Sequence, residues 1–232
     1  MERNSPSPAA SVTPEGQTRG DAVYEGLKAR ILGHDFRMGT PLREDEVAGW
    51  FGASRLPARE ALKRLELEGL VERLGRKYAI RAYSFPEILV TYRIRAALEH
   101  LAVDLACAQA GEEDLARIAA VLDQQAGALR TASRGEFSEL DSVFHLGLAR
   151  IGRNPALLRE LEVILNRVRL IRSNEIDVDS GPPGAYADHC RIFEALRRRD
   201  AATARAELDY HYSTTLRLHR LAAPETTTGP AT

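Results

Sequence analysis

The chain has 232 residues, 44% hydrophobic and 28% charged, with a net charge of −1. That composition supplies one or two globular cores; it excludes a membrane span, a disulfide-stapled scaffold and a uniformly basic nucleic-acid coat. The start of the sequence has no apolar leader, and the two cysteines, Cys107 and Cys190, have no metal-like spacing, so the expected compartment is the cytoplasm.

Residues 1–19 are rich in Ser, Pro, Thr and Gly and read as a disordered tail, as do 223–232. From 20 to 84 the pattern is that of a small DNA-binding domain. Ala22, Val23, Leu27, Ile31 and Leu32 recur at helical spacing. Gly33 and Gly39 punctuate a turn, and Leu42 anchors the chain. Residues 44–51 read as a short second helix with Val47, Ala48 and Phe51 inward, ended by Gly52. Residues 53–70, ASRLPAREALKRLELEGL, read as a third: Ser54 is an N-cap type, Pro57 sits in the first turn and Gly69 is a stop. Leu62, Leu65, Leu67 and Leu70 supply its apolar face. Arg55 and Arg59, four apart, share one face of its N-terminal end, where a recognition helix offers side chains to the major groove. Residues 71–73 and 78–81 read as strands joined around Gly75-Arg76-Lys77. The order helix, helix, helix, hairpin is that of a winged helix-turn-helix, with Arg76 and Lys77 at the tip suited to phosphate or the minor groove. Between Arg55 and Arg81 eight Arg/Lys face four Glu, so positive charge is concentrated here.

Residues 85–222 show no convincing strand and six helical segments: about 85–109, 113–131, 134–151, 154–178, 185–198 and 200–221. Gly111, Gly135, Gly152 with Pro155, and the GPPG at 181–184 are the breaks. The expected architecture is mainly α: a winged helix-turn-helix followed by an all-helical bundle. On the third of these segments Phe137, Leu140, Phe144 and Leu148 form an apolar stripe, and Asp141 and His145 lie inside it. His189 shares a face with Tyr186 and Phe193, and His211 with Ala204, Leu208, Thr215 and Leu218. Inward carboxylates and imidazoles are costly unless paired or metal-bound. Asp plus three His suits a divalent transition metal, zinc first, with nickel, manganese or iron also compatible. The alternative is an Asp–His hydrogen bond among ordinary core histidines. His34, His100 and His219 read as surface or packing residues.

The third helix resembles that of GntR-type bacterial transcription regulators, which typically reads SRTPVREALxRLExEGL. Here Ser54-Arg55-Leu56-Pro57-Ala58-Arg59-Glu60-Ala61-Leu62 is followed by Arg64-Leu65-Glu66 and Glu68-Gly69-Leu70. The resemblance implies Ser54, Arg55 and Arg59 as contacts to double-stranded DNA. Leu56 replaces the usual threonine, Met38-Gly39 the usual PG, and Asp45 an arginine that commonly touches DNA. A carboxylate there is repelled by phosphate, so the operator sequence stays open. Residues 85–222 are similar to the FCD ligand-binding domain of FadR-type members. The matching residues are Asp141-Ser142-Val143-Phe144-His145, Asn154, then His189 and His211, with the RxxLE segment at Arg95-Ala96-Ala97-Leu98-Glu99. This implies Asp141, His145, His189 and His211 as metal ligands, and six helices point to the VanR-like subgroup. A long-chain acyl-CoA effector is not expected with this metal set.

The resemblance implies a homodimeric, ligand-responsive regulator, a repressor, on a palindromic operator. Its effector is expected to be a small carboxylate held by the metal and by Arg95, whose guanidinium can fork a carboxylate. The bland role for Arg95 is an ion pair with Glu99. Arg167, Arg169 and Arg172 read as a solvated face rather than as pocket lining. Two rival readings stay open: a constitutive or metal-responsive DNA binder with a structural metal, and a metal-dependent hydrolase. No free general base stands beside the ligands, so an enzyme is not expected.

Overall fold

The computed structural model describes residues 18–75, 77–131, 133–172 and 181–222. Residues 1–17 and 223–232 of the expected tails, Arg76 of the expected wing, and 173–178 of the expected fourth bundle helix lie outside them. The chain divides into two compact units, Met1–Ala82 and Tyr83–Thr232. No described helix is long and apolar enough to cross a membrane.

In the first unit the described elements are α1 (Arg19–Leu32), β1 (Pro41–Leu42), α2 (Glu44–Trp50), α3 (Arg55–Glu68), β2 (Val71–Leu74) and β3 (Lys77–Ile80). Thr18 and Asp21 form a reciprocal capping box that starts α1. The strands make an antiparallel sheet in the order β1-β3-β2, with Val71 opposite Ile80 and Pro41 opposite Ala79. The two-residue strand β1 is an addition to the sequence reading. It is too short to show alternation, and Pro41 is tolerated because it lies on the sheet edge.

Helix α3 buries Ala58, Ala61, Leu62 and Leu65. Leu67 does not belong to this apolar face: it is 82% exposed. At about 100° per residue it lies well over a third of a turn away from both Leu62 and Leu65. Gly69 ends the helix with φ +77°, a left-handed conformation that favours glycine. Polar contacts then hold α3 against α1. Lys28 Nζ reaches Tyr24 Oη at 2.8 Å and Glu68 Oε2 at 3.0 Å, and the Tyr24 hydroxyl donates to Glu68. Arg64 lies over the Tyr24 ring at 3.7 Å and pairs with Asp21 at 2.6 Å. Gly26 is required where α1 meets Phe51, because a Cβ there would stand 2.4 Å from the ring.

In the second unit α4 (Phe85–Gln109) packs against α6 (Arg134–Ile151), α7 (Pro155–Arg172) and α9 (Ala201–Ala222). Helix α5 (Glu112–Arg130) packs on α6 and α8 (Gly181–Arg197), and α8 on α9. Val103, Ala106, Phe144, Leu148, Ile192 and Leu208 belong to its main core. Asn154 caps α7 by accepting from the backbone N–H groups of Ala156 and Leu157, both at 3.1 Å. Arg199 closes the end of α4 by donating to the carbonyls of Cys107 (3.0 Å) and Ala110 (2.7 Å). Helix α8 starts four residues earlier than expected, at Gly181. The two prolines occupy its first turn, where the N–H groups they lack have no intrahelical partner to lose.

Candidate metal centre and nucleic-acid interface

Three helices of the second unit converge on one buried point. Asp141 and His145 come from α6, His189 from α8 and His211 from α9; all four are 2% exposed or less. One ligand atom from each lies within 4.8 Å of the others. The i, i+4 spacing puts Asp141 and His145 on the same face of α6, and the stripe through Phe144 and Leu148 turns that face inward.

Each imidazole is held from behind. His145 Nδ1–H donates to Glu99 Oε2 at 2.5 Å, His189 Nδ1–H to Gln125 Oε1 at 2.9 Å and His211 Nδ1–H to Asp188 Oδ2 at 3.1 Å. The carboxylates can only accept. Gln125 is oriented by its Nε2, which donates to the Leu140 carbonyl at 3.1 Å, so its oxygen faces His189. With the proton on Nδ1, a neutral imidazole presents Nε2 to the cluster as a lone pair. His145 Nε2, His189 Nε2 and Asp141 Oδ1 are buried with no hydrogen-bond partner. Unpartnered buried acceptors are costly, and three converging on one point are what a cation would relieve. The donor set fits a divalent transition metal.

The electrostatics agree. Burial opposes ionisation of Asp141, but Arg172, His145 and His189 hold its carboxyl well below the ordinary range. Burial likewise opposes Glu99, yet His145 and Arg95 hold it down at about 2. Burial, with His145 and His211 nearby, pushes His189 far below the ordinary imidazole range, and burial lowers His211 too. Both are therefore neutral near pH 7, the form that binds metal.

Arg95 is fully buried on α4. Its Nε donates to Glu99 Oε1 at 2.6 Å, while Nη1 and Nη2 have no hydrogen-bond partner, and its guanidinium lies 4.9 Å from the Tyr212 ring centre. The ion pair with Glu99 and an open fork thus coexist. Arg172 corrects the solvated-face reading of its cluster: it donates to Asp141 Oδ2 at 2.7 Å and is mostly buried. His219 is a packing residue, bonded through Nε2 to the Tyr92 hydroxyl at 3.1 Å. The sequence pattern does not single out Gln125 or Asp188. Gln125 carries a signal, since of the two adjacent glutamines it is the one in line with the apolar Ile118 and Leu122. Asp188, beside His189, carries none.

In the first unit Ser54, Arg55, Arg59 and Lys77 are all exposed. Ser54 has N-cap backbone geometry but makes no side-chain cap bond. Arg59 is held in a two-pronged pair by Glu44 at the start of α2, Nε to Oε1 and Nη2 to Oε2, both at 3.0 Å. Asp45 sits beside Arg43 at 3.3 Å; its own backbone N–H, Arg43 and Arg55 hold its carboxyl low. Leu56 is 64% exposed on the same end of α3.

Comparison with known proteins bears on both units. Residues 19–78 match the family described as bacterial regulatory proteins, gntR family, and residues 90–214 match the FCD domain. The chain is 32% identical over 201 residues to the Nta operon transcriptional regulator of Aminobacter aminovorans, covering 84% of this chain and 93% of that one. It is 29% identical over 190 residues to the HTH-type transcriptional repressor RspR of Escherichia coli K12, covering 82% and 83%. The solved structure of E. coli McbR/YncC superposes with a TM-score of 0.78 at 20% identity, covering 88% of this chain and 98% of that one, a likeness of fold.

Proposed function

From the premise that the chain belongs to the GntR family of DNA-binding transcriptional regulators, with an FCD domain after its winged helix-turn-helix, we propose that it is a repressor whose operator affinity is set by a small carboxylate bound at a metal-containing helical pocket. The observation that carries this is the convergence of Asp141, His145, His189 and His211, three of their facing atoms buried and unpartnered while every imidazole is fixed from behind. A divalent metal held by these four, zinc first, would supply Lewis acidity and open coordination positions for an anion. Arg95, through Nη1 and Nη2, would hold the effector's carboxylate in its fork. These unpartnered groups favour a ligand pocket over a purely structural metal.

On the DNA side, Arg55 and Arg59 would reach guanine edges in the major groove, Ser54 and Lys77 would take phosphate, and Arg76 would join Lys77 on the wing. The exposed Leu56 would meet a thymine methyl group where related proteins offer a hydroxyl. Two copies would span the half-sites of a palindrome in the cytoplasm, and effector binding would shift the equilibrium between arrangements of differing operator affinity.

The test is metal content per chain after gentle purification, for wild type and His189→Ala. About one tightly held metal, lost in the variant, supports the reading. No metal in either, even after reconstitution, would leave a hydrogen-bonded polar core and remove the metal from the proposal.

A further inference from the structure

We infer that the groove between α5 and α6, on the outside of the second unit, is a binding site for an amphipathic anion: an apolar ring or short chain carrying an acid group. The inference is independent of the metal reading, because the groove shares no residue with the buried cluster.

The groove has a volume of about 600 Å³, within the range of small-molecule sites. Its α6 wall carries Val143 and Gly147, two residues on from Asp141 and His145. At about 100° per residue they lie roughly 160° round the helix from those side chains, so groove and cluster occupy opposite faces of α6. The floor is apolar, built from Ile118 and Val121 of α5 and Val143 and Ile151 of α6. Gly147 seals it from below. A Cβ there would stand 2.6 Å from Ile118 Cδ1, so glycine is what lets the two helices close under the groove.

The rim has the opposite character. Arg117, Arg150 and Arg153 line it, all exposed, with Asp114 the carboxylate among the lining residues. Asp114 is already committed. It accepts from the Gly111 backbone N–H at 3.1 Å, capping α5, and from Arg117 at 2.7 Å, and it lies 4.0 Å from Arg153. Glu113, which does not line the groove, lies 3.8 Å from Arg117. Arg150 has no ion-pair partner among the described residues. Arg150 and Arg153 therefore face the groove with little to neutralise them. Arg153 is also held at φ +48°, a left-handed conformation that costs an arginine energy and glycine almost none. Strain of that kind gathers at ligand sites, and here it sets a guanidinium at the rim. Charge complementarity selects an anion, and the floor selects an apolar body. An inorganic ion would leave the floor wet; a neutral apolar molecule would leave both guanidiniums unused.

The experiment titrates full-length protein with anilinonaphthalene sulfonate, whose emission rises in an apolar site, and displaces it with naphthoate, octanoate, their amides and acetate. The aromatic and aliphatic acids distinguish a flat body from a chain. At least one acid is expected to bind about tenfold more tightly than its amide, the worth of two exposed ion pairs, and acetate is expected not to compete. Arg150→Gln should lower that ratio to roughly threefold or less, and so should Gln124→Glu, which sets a carboxylate at the rim. Arg153→Gly should lower it too while leaving the chain at least as thermally stable, because glycine relieves the left-handed position. A merely structural arginine would not separate those two readouts. Zinc-loaded and metal-free protein should bind alike. Acid and amide of equal affinity would overturn the inference. So would a ratio unmoved by Arg150→Gln and Arg153→Gly, displacement by neither acid, or competition by acetate as strong as theirs. Binding that needs zinc would place the ligand at the buried cluster and overturn it as well.

Discussion

Replacing Glu99 by glutamine tests the centre where its charges are most tightly coupled. Glu99 is fully buried and accepts two short charge-assisted bonds, from Arg95 Nε at 2.6 Å and His145 Nδ1 at 2.5 Å. A glutamine keeps the volume but offers one accepting oxygen and turns an NH2 group toward a second donor. It also leaves the Arg95 charge without its partner. Breaking a buried pair from one side costs roughly 3–5 kcal/mol. For a unit of this size, at about 2–4 °C per kcal/mol, that is a fall of roughly 6–20 °C in melting temperature. The assay is urea unfolding of metal-free protein followed by far-ultraviolet circular dichroism. Trp50, the one tryptophan, lies in the other unit, so its fluorescence follows that unit separately. The double variant Arg95→Met with Glu99→Leu removes both charges and should recover the part of the loss due to the unpaired Arg95, while the buried His145 N–H left without its acceptor keeps about 1–3 kcal/mol of it. A Glu99→Gln cost below about 1 kcal/mol, or a double variant no more stable than the single one, would refute this account.

Further outcomes follow from the same geometry. Arg59→Ala should weaken specific operator binding by roughly 5- to 150-fold and relax base preference at one position, measured by competitive gel shift. Unchanged specific affinity would remove Arg59 from the readout. Lys77→Ala should weaken specific and random DNA alike and make the dependence of log K on log salt shallower by about one. Acidity should destabilise the metal-free protein. His189 and His211 have pKa values below their ordinary 6.5 in the folded chain, so their contribution is present above 6.5 and lost as pH falls below it. Two such groups give a slope of at most roughly 2.7 kcal/mol per pH unit, and His189→Gln should halve it. A flat stability profile between about pH 7.5 and 5.5 would show that these imidazoles are not buried and neutral.

The third helix and the buried Asp/His cluster were legible in the sequence because both depend on local spacing. Asp141 and His145 share a helix face at i, i+4, and the apolar residues around them show which way that face points. Asp188 and Arg172 could not be recovered the same way. Their roles depend on what α9 and α6 bring opposite them: His211 in one case, Asp141 in the other. An arginine three residues from another arginine reads as a charged surface until a buried carboxylate is found within 3 Å. Leu67 shows the converse error: a leucine in a leucine-rich helix reads as core although its angular position faces water. The GPPG at 181–184 was read as a break because proline stops a helix from within but is tolerated in its first turn.

The pair between Arg59 and Glu44 would give the proposed DNA-contacting face a built-in competitor. In the free protein this guanidinium already has a planar, two-oxygen acceptor. A lone phosphate oxygen on random DNA is a poor exchange for it, and the approach also brings a carboxylate toward a polyanion. Guanine, with O6 and N7 side by side, presents a fork of matching shape. If Arg59 reads a base as proposed, Glu44 would raise the threshold for engaging it, sharpening discrimination by penalising wrong sites rather than by strengthening the right one.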